Sequence, residues 1–211
     1  MLQINSLLSL PKLSTSFYRR DNVVLVAREL IGKILVTRFN NQVTAGRIVE
    51  TEAYNGIVDK ASHAYGGRRT KRTEIMYADG GKAYVYLCYG IHHLFNVVTH
   101  LKNSPHAVLI RAVEPLVGIE LMLQRTAKPK ADFSLTKGPG NVSRALGIST
   151  QHTGVDLLED ALFIVTDNDD ISQKKIIATP RIGVDYAGED ALLPYRFIVK
   201  DNPYVSGKKH A

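Results

Sequence analysis

The chain has 211 residues, enough for one domain with its own hydrophobic core. Its 27 Lys and Arg exceed its 20 Asp and Glu, giving a formal net charge of +7 that favours polyanionic partners: nucleic acid, an anionic membrane surface or acidic ligands. A single cysteine, Cys88, excludes an intrachain disulfide and a cysteine-rich metal site.

The N-terminal quarter of the chain predicts an arm, a helix and a hairpin. We expect residues 1–15 to be a loosely held arm, and Asp21 to cap a helix that ends near Leu30. Because Asn40-Asn41 is typical of a turn, two strands should flank it. The predicted strands are Lys33–Phe39 and Thr44–Tyr54.

The next segment predicts a basic loop and a second hairpin. Between positions 60 and 82, six basic residues face two acidic ones. Runs rich in Tyr and Val predict strands over Lys82–Cys88 and Leu94–Thr99. Tyr89-Gly90 opens the five residues between them, which suit a hairpin tip.

The C-terminal half predicts one more long strand, two helices and three short strands. After a strand over Val108–Val113, Pro115 suits the first turn of a helix that reaches Arg125. Residues 126–137 form a basic connection. The remaining candidates are a short helix opened by Gly138-Pro139 and stopped by Gly147, and strands over Leu162–Thr166, Ile176–Thr179 and Arg196–Val199.

Together these elements predict an α+β fold. We expect a single domain over residues 16–206, with a curved, mostly antiparallel sheet that is open and barrel-like, flanking helices and a protruding hairpin. The polar tail at 207–211 should be frayed. No run approaches the ~20 apolar residues of a membrane helix and no signal peptide is visible, so we expect a soluble, cytoplasmic protein.

Two glutamates are the first candidates for chemistry. In an extended strand the side chains of Glu50, Glu52 and Tyr54 share one face, with the glutamate Cα atoms about 6.7 Å apart. Two carboxylates beside an aromatic ring suit acid or base catalysis on a ring-shaped substrate, including an O-glycoside. The same pattern also fits a solvent-facing polar strand with salt bridges.

Aromatic residues are concentrated beside the basic segment. Tyr77, Tyr84, Tyr86 and Tyr89 lie within thirteen residues of one another. Rings next to basic side chains are typical of a nucleic-acid surface, although tyrosines of this kind can equally pack in a core. The adjacent His92-His93 is not a metal pattern, because neighbouring strand positions point to opposite faces, and we expect no metal and no cofactor.

Eight ordered blocks resemble the alkyladenine (3-methyladenine) DNA glycosylase family. The most specific is Arg47-Ile48-Val49-Glu50-Thr51-Glu52-Ala53-Tyr54, followed by the hairpin Tyr84-Val85-Tyr86 with Tyr89-Gly90. The others are Ser62-His63, Asn96-Val97, Leu109-Ile110-Arg111-Ala112, Gly138-Pro139 and Thr179-Pro180-Arg181-Ile182-Gly183. The order holds from about residue 20 to residue 206. The family fold is an open antiparallel barrel with flanking helices.

The resemblance implies a catalytic centre that hydrolyses an N-glycosidic bond in double-stranded DNA carrying a damaged base. Glu52 matches the family's general base, which deprotonates the attacking water. Arg111 and the main-chain carbonyl of Ile182 match the groups that help to hold this water. A glutamate is ordinarily ionised at neutral pH and can accept the proton.

The resemblance also implies a base pocket and a wedge. Tyr54 and Tyr86 match the rings that sandwich the flipped base, and His63 packs and hydrogen-bonds at the pocket. Asn96 matches the residue at the pocket floor that discourages guanine. Tyr89 matches the side chain that enters the minor groove and fills the gap left by the flipped nucleotide.

One position departs from the family pattern, and two alternative functions also fit the residues. Asn141 stands where a basic or small residue is expected after the Gly-Pro turn, which leaves lesion preference and backbone grip undetermined. We expect a monomer, because one face must slide along a duplex. A non-catalytic nucleic-acid-binding domain and an O-glycoside hydrolase that uses Glu50 and Glu52 are the alternative functions.

Overall fold

The computed structural model describes residues 3–167, 169 and 171–207. In this part of the chain eight strands form one antiparallel sheet that does not close into a barrel, in the order β3-β4-β5-β2-β1-β6, with β8 paired to β2 and β7 paired to β8. The strands are β1 Ile34–Phe39, β2 Gln42–Tyr54, β3 Ala83–Cys88, β4 His92–Thr99, β5 His106–Val117, β6 Leu162–Val165, β7 Ile176–Thr179 and β8 Arg196–Val199.

Helices pack on this sheet, which confirms the predicted α+β fold. The α-helices are α1 Ile4–Leu8, α2 Thr15–Tyr18, α3 Val23–Leu30, α4 Ile119–Thr126 and α5 Pro139–Leu146. Short 3-10 helices cover Gly56–Val58, Tyr65–Gly67, Glu74–Tyr77, Phe133–Leu135, Thr150–His152, Gln173–Lys175 and Asp185–Leu192. None of the helices in the described ranges has the length and apolar run needed to span a lipid bilayer.

The main core lies between the sheet and helices α3 and α5. In α3 the buried residues are Val23, Val26, Ala27 and Leu30, at the spacing of one helical face. They join a cluster that includes strand residues such as Ile48. Full burial of an aliphatic side chain is worth about 1.5–3 kcal/mol, so this face holds α3 firmly against β2, the strand that carries Glu52.

Strand β2 is the centre of the sheet. Its first part pairs with β1, and its last part pairs with both β5 and β8, so that Glu52 lies opposite Leu109 on one side and Arg196 on the other. The pairing with β5 shifts register on both sides of Glu50. A register shift of this kind re-aims side chains, and here it lies beside the two glutamates.

Three sequence predictions are corrected by the structure. The side chain of Asn22, not Asp21, caps α3 by accepting a 3.0 Å hydrogen bond from the Leu25 amide. Pro115 does not start a helix, because β5 continues through it to Val117 and α4 begins only after Gly118. The missing N–H is tolerated because Pro115 pairs at an irregularity of the β2–β5 ladder.

The third correction concerns the N-terminal segment, which packs against the sheet instead of hanging loosely. Leu7 of α1 is fully buried in a cluster with Ile34 and Phe163. Lys12 forms a β-bridge with Val165. At the other end, the predicted frayed tail lies outside the described residues from position 208 onward.

Other boundaries agree closely with prediction. Asn40 and Asn41 adopt φ values of 51° and 61°, as a tight turn requires. Gly147 ends α5 with φ 73°. Strand β4 begins at His92, two residues earlier than predicted, so the tip of the second hairpin contains only residues 89–91.

Candidate active site

A cavity of about 380 Å³ opens between the second hairpin, the start of α5 and the segment after β7. Each of the eight sequence blocks that carried the family resemblance contributes at least one residue to its wall. The lining includes Tyr54, His63, Tyr86, Asn96, Arg111 and Ile182, together with Tyr89 at its edge. The structure therefore brings seven of the eight predicted site residues to one cavity.

Glu52, the eighth, lies directly behind that wall. Its side chain is fully buried. Oε2 accepts a 2.7 Å hydrogen bond from the Tyr54 hydroxyl, and Oε1 accepts one of 2.8 Å from the amide N–H of Ile182. Because both donors line the cavity, the carboxylate is one side chain away from whatever the cavity holds.

Arg111 on β5 joins the two glutamates. Its Nε donates to Oε1 of Glu50 at 3.0 Å, and its Nη1 lies 3.3 Å from Oε1 of Glu52. Burial opposes the charged form, but the carboxylates of Glu52 and Glu50 outweigh it and raise the pKa of Arg111. The guanidinium is thus a permanent positive charge between two buried carboxylates.

Glu50 shares its face with Glu52 as predicted, since both contact Arg111, but it is not free for acid catalysis. Its Oε1 also accepts from Arg196 Nε at 2.7 Å, and its Oε2 accepts from the Ser206 amide at 2.7 Å. Because both glutamates are 0% exposed, the interpretation of β2 as a solvent-facing polar strand is wrong. Neither glutamate lines the cavity that the described residues form, and the Glu50 oxygens are occupied by Arg111, Arg196 and Ser206, which argues against a glycosidase pair of two open carboxylates.

One wall of the cavity is aromatic. The rings of Tyr84 and Tyr86 lie 5.5 Å apart, and the His63 ring meets Tyr86 edge-on at 4.6 Å. His63 Nδ1 is 2.8 Å from the Tyr84 hydroxyl. Tyr84 is itself buried, so this strand supplies core packing as well as a cavity wall.

Burial sets the charge state of this wall. It lowers the pKa of His63 to about 4, helped by the nearby guanidinium charges of Arg72 and Arg68. Burial also raises the pKa of Tyr84 to about 12. At neutral pH both side chains are therefore neutral, and the wall presents rings and hydrogen-bonding groups without charge.

Tyr54 is supported from behind by a buried ion pair. The Arg181 guanidinium lies 4.9 Å from the centre of the Tyr54 ring and donates to Asp59 at 2.8 Å. Burial, followed by the charge of Glu52, raises the pKa of Tyr54 well above its usual value. The Tyr54 hydroxyl therefore stays protonated and donates a hydrogen bond to Glu52.

The floor of the cavity is held by Asn96 on β4, which is 3% exposed. Its Nδ2 donates to the carbonyls of Tyr84 and Leu94, both at 3.2 Å. These two bonds hold the amide in one place at the base of the cavity.

The hairpin tip stands at the mouth of the cavity. Tyr89 is 92% exposed, more than any other large hydrophobic side chain of the described residues, and Ile91 beside it is 72% exposed. Gly90 has φ 73°, a conformation that glycine adopts without strain. The imidazole of His92 packs closely on Gly140 at the start of α5. A Cβ added to Gly140 would lie only 2.9 Å from Nδ1 of His92. The base of the hairpin is thereby fixed.

The basic segment lies near this cavity, because burial and then the charges of Arg72 and Arg68 lower the pKa of His63 in the cavity wall. Arg69 is paired with Glu74 at 2.6 Å and Lys82 with Asp156 at 2.8 Å. The four further basic residues of the segment are exposed and form no ion pair with the described residues: Lys60, Arg68, Lys71 and Arg72. The described residues contain no group of three or more His, Cys, Asp or Glu that could hold a metal ion.

Sequence reasoning missed four residues of this site. Ser206 lay at the end of the predicted domain with no local signal for a partner, and Asp59 and Arg181 carried no local signal for pairing across 122 positions. Tyr186, 70% exposed, lines the cavity and donates a 3.1 Å hydrogen bond to the Ala61 carbonyl. Only Arg181 lies in one of the blocks that carried the family resemblance.

Comparison with known proteins agrees with this geometry. The family model described as methylpurine-DNA glycosylase matches residues 16–203. A protein of Desulfitobacterium hafniense, provisionally named a 3-methyladenine DNA glycosylase, is 45% identical over 204 residues, covering 93% of this chain and 99% of its own length. Similarly named proteins of Chlamydia felis and Bacillus cereus are 48% and 49% identical, covering 89% and 92% of this chain and 95% and 98% of their own lengths.

Proposed function

The chain belongs to the methylpurine-DNA glycosylase family, and on that premise we propose that Glu52 activates the water that hydrolyses the N-glycosidic bond of a damaged purine. Membership makes the chain a monofunctional DNA glycosylase, a hydrolase of N-glycosyl bonds whose substrate is DNA with methylated purines such as 3-methyladenine. The mechanism and the residues that carry it are proposed from the geometry of the cavity.

The observation that carries the proposal is the set of contacts around the Glu52 carboxylate. An ionised carboxylate offers about four acceptor positions on its two oxygens. Oε1 faces the Ile182 amide and Arg111, whereas the one contact described for Oε2 is the Tyr54 hydroxyl. We place the attacking water at the acceptor positions that remain on Oε2, where it would donate to the carboxylate while the existing bonds stay in place.

The reaction then follows from this position. Glu52 takes one proton from the water, and the water oxygen bonds to C1′ of the flipped nucleotide. The C1′–N bond breaks, and its electron pair leaves with the base, so that an abasic site remains. Glu52 also places negative charge near a sugar that develops positive charge in the transition state, while Arg111 and the main chain at Ile182 hold the water.

The cavity supplies the base pocket. Tyr54 and Tyr86 would sandwich the extruded base, with His63 packing and hydrogen-bonding beside them. Alkylation leaves a purine positively charged, and a tyrosine face attracts a cation by about 0.5–2 kcal/mol. Asn96 at the floor would oppose the exocyclic amino group of guanine, since its amide is held in place by two main-chain carbonyls.

The exposed hairpin and basic residues would hold the duplex. Extruding a base costs a few kcal/mol and is easiest where the base is damaged or mispaired. Tyr89, which projects at the cavity mouth, would enter the minor groove and offset part of that cost by filling the gap. The exposed cations of Arg68, Lys71 and Arg72 would face the phosphates.

The direct test is base release by the wild-type protein. Purified protein is incubated with methylated duplex DNA, and free 3-methyladenine and abasic sites are quantified. The proposal expects free 3-methyladenine to appear, with one abasic site for each base released. Tight, salt-sensitive DNA binding with no base released would favour a non-catalytic binding domain instead.

A further inference from the structure

Ser206, near the end of the described chain, lies beneath the catalytic centre and contacts it through three atoms. Its amide donates to Oε2 of Glu50 at 2.7 Å, and its hydroxyl donates to Oε1 of Glu50 at 2.9 Å. Its carbonyl accepts from Arg196 Nη2 at 2.7 Å. The same hydroxyl lies 3.3 Å from Arg111 Nη2, which donates to it. Ser206 is 7% exposed, so these bonds form away from bulk water.

These contacts account for two of the three nitrogens of Arg111. Nε is bound by Glu50 and Nη2 by Ser206, which leaves Nη1 directed at Oε1 of Glu52, 3.3 Å away. The guanidinium is planar and its donors have fixed directions. Holding two of its nitrogens therefore fixes where the third one points.

We propose that Glu50 and Ser206 are positioning residues, which hold Arg111 so that it approaches Glu52 through Nη1 alone. The C-terminal segment is then part of the catalytic apparatus. The proposal rests on the proposed role of Glu52 as the base. Neither residue touches the cavity that the described side chains line, and both would act through Arg111.

The physical reason lies in the competition between the two carboxylates. An arginine that has a carboxylate as its one buried partner frequently binds it through both oxygens, because the two groups match in a bidentate geometry. Such a pairing with Glu52 would occupy Oε2, the oxygen that the proposed mechanism leaves open to water. Glu50 and Ser206 prevent it by engaging the other edge of the guanidinium.

Stability alone does not account for this cluster. It buries two carboxylates and two guanidiniums, with Glu50 0% and Arg196 1% exposed. Removing charges from water is costly, and well-packed apolar residues are often as stabilising as a buried ion-pair network. A requirement for a directed Arg111 explains why charged groups occupy this position.

The test compares single-turnover release of 3-methyladenine by Ser206→Ala, Ser206→Thr and a matched control, with enzyme in excess over methylated duplex. The control is Ser143→Ala, because Ser143 is also buried and its hydroxyl has no partner among the described residues. Maximal rate and half-saturating enzyme concentration are measured separately.

We expect Ser206→Ala to lower the maximal rate by about 10- to 100-fold, within the range typical for loss of a hydrogen bond to a charged group. Its half-saturating concentration should stay within about twofold of wild type, since DNA binding is not altered. Ser206→Thr, which keeps the hydroxyl, should restore most of the rate. Glu50→Gln should lower the maximal rate by about 100-fold or more, because it removes the charge that competes for Arg111.

Two results would overturn the inference while leaving the proposed function intact. One is a maximal rate for Ser206→Ala equal to that of Ser143→Ala. The other is a defect confined to the half-saturating concentration, which would place Ser206 in DNA binding. A wild-type protein that releases no base would instead contradict the proposed function before any variant is compared.

Discussion

Tyr54 donates a 2.7 Å hydrogen bond from its hydroxyl to Oε2 of Glu52, two residues earlier on the same strand. Because Tyr54 also lines the cavity, a single side chain connects the proposed wall of the base pocket to the proposed base. The ring and the hydroxyl of Tyr54 thus have separable roles, and substitutions can distinguish them.

Tyr54→Phe keeps the ring and removes the hydroxyl. We expect the maximal single-turnover rate to fall by about 3- to 10-fold, because a buried carboxylate loses one charge-assisted hydrogen bond and water replaces only part of it. Affinity for lesion-containing duplex should stay within about twofold. Tyr54→Leu, which removes the ring, should weaken affinity as well. A Tyr54→Phe protein as fast as wild type would separate the hydroxyl from catalysis.

Tyr89→Ala tests the wedge. We expect the affinity for duplex containing a damaged base to fall by about tenfold, because the gap left by the flipped nucleotide is no longer filled. The free energy of unfolding should change by less than about 0.5 kcal/mol, since a side chain that is 92% exposed contributes little to packing. Binding is measured by titration and stability by urea unfolding.

A matched control for Tyr89 is Leu25→Ala. Leu25 is also a partly exposed apolar residue, but it lies on α3 and is absent from the cavity wall of the described chain. Its DNA affinity should equal that of wild type. Equal affinities for Tyr89→Ala and wild type would exclude Tyr89 from the duplex contact.

His63 makes stability depend on pH in a defined window. Burial and the charges of Arg72 and Arg68 lower its folded-state pKa to about 4, whereas an unfolded histidine titrates near about 6.5. Between these values the unfolded chain binds more protons, so the free energy of unfolding falls as the pH falls from about 6.5 to 4. His63→Gln should flatten this part of the curve, measured by urea unfolding at a series of pH values.

His106 adds to the same window through a different set of neighbours. Burial, followed by the charge of His100, lowers its pKa to about 4, although Asp21 opposes the shift. We expect His106→Asn to flatten the pH dependence separately and the double variant with His63→Gln to flatten it further, because the two histidines take up protons independently. If the free energy of unfolding of both variants depended on pH as it does in the wild type, neither histidine would be buried in the neutral form.

Local patterns predicted much of the fold because most elements here are specified by neighbouring residues. The turn at Asn40-Asn41, the start of α5 at Gly138-Pro139 and its end at Gly147 each depend on a backbone conformation that these residues favour. Pro115 was assigned wrongly because its environment is not local. It is tolerated in β5 because the strand pairing is irregular at Gly46, which lies 69 positions earlier in the chain.

The site was predictable to a different degree. The period of two along β2 correctly placed Glu50 and Glu52 on one face, and the family resemblance supplied the remaining wall residues. Neither showed that Glu50 is bound to Ser206 across 156 positions. Ser206, which precedes the predicted frayed tail, is buried because of a charged partner that the folded sheet places beside it, and no local pattern indicates that partner.

The most direct measurement is base release by Glu52→Gln together with its affinity for the same DNA. This change keeps the size and hydrogen-bonding capacity of the side chain but removes its ability to take the proton. We predict a maximal rate at least about 10³-fold below wild type, with affinity for lesion-containing duplex retained. Release at the wild-type rate would show that the carboxylate at position 52 is not the base.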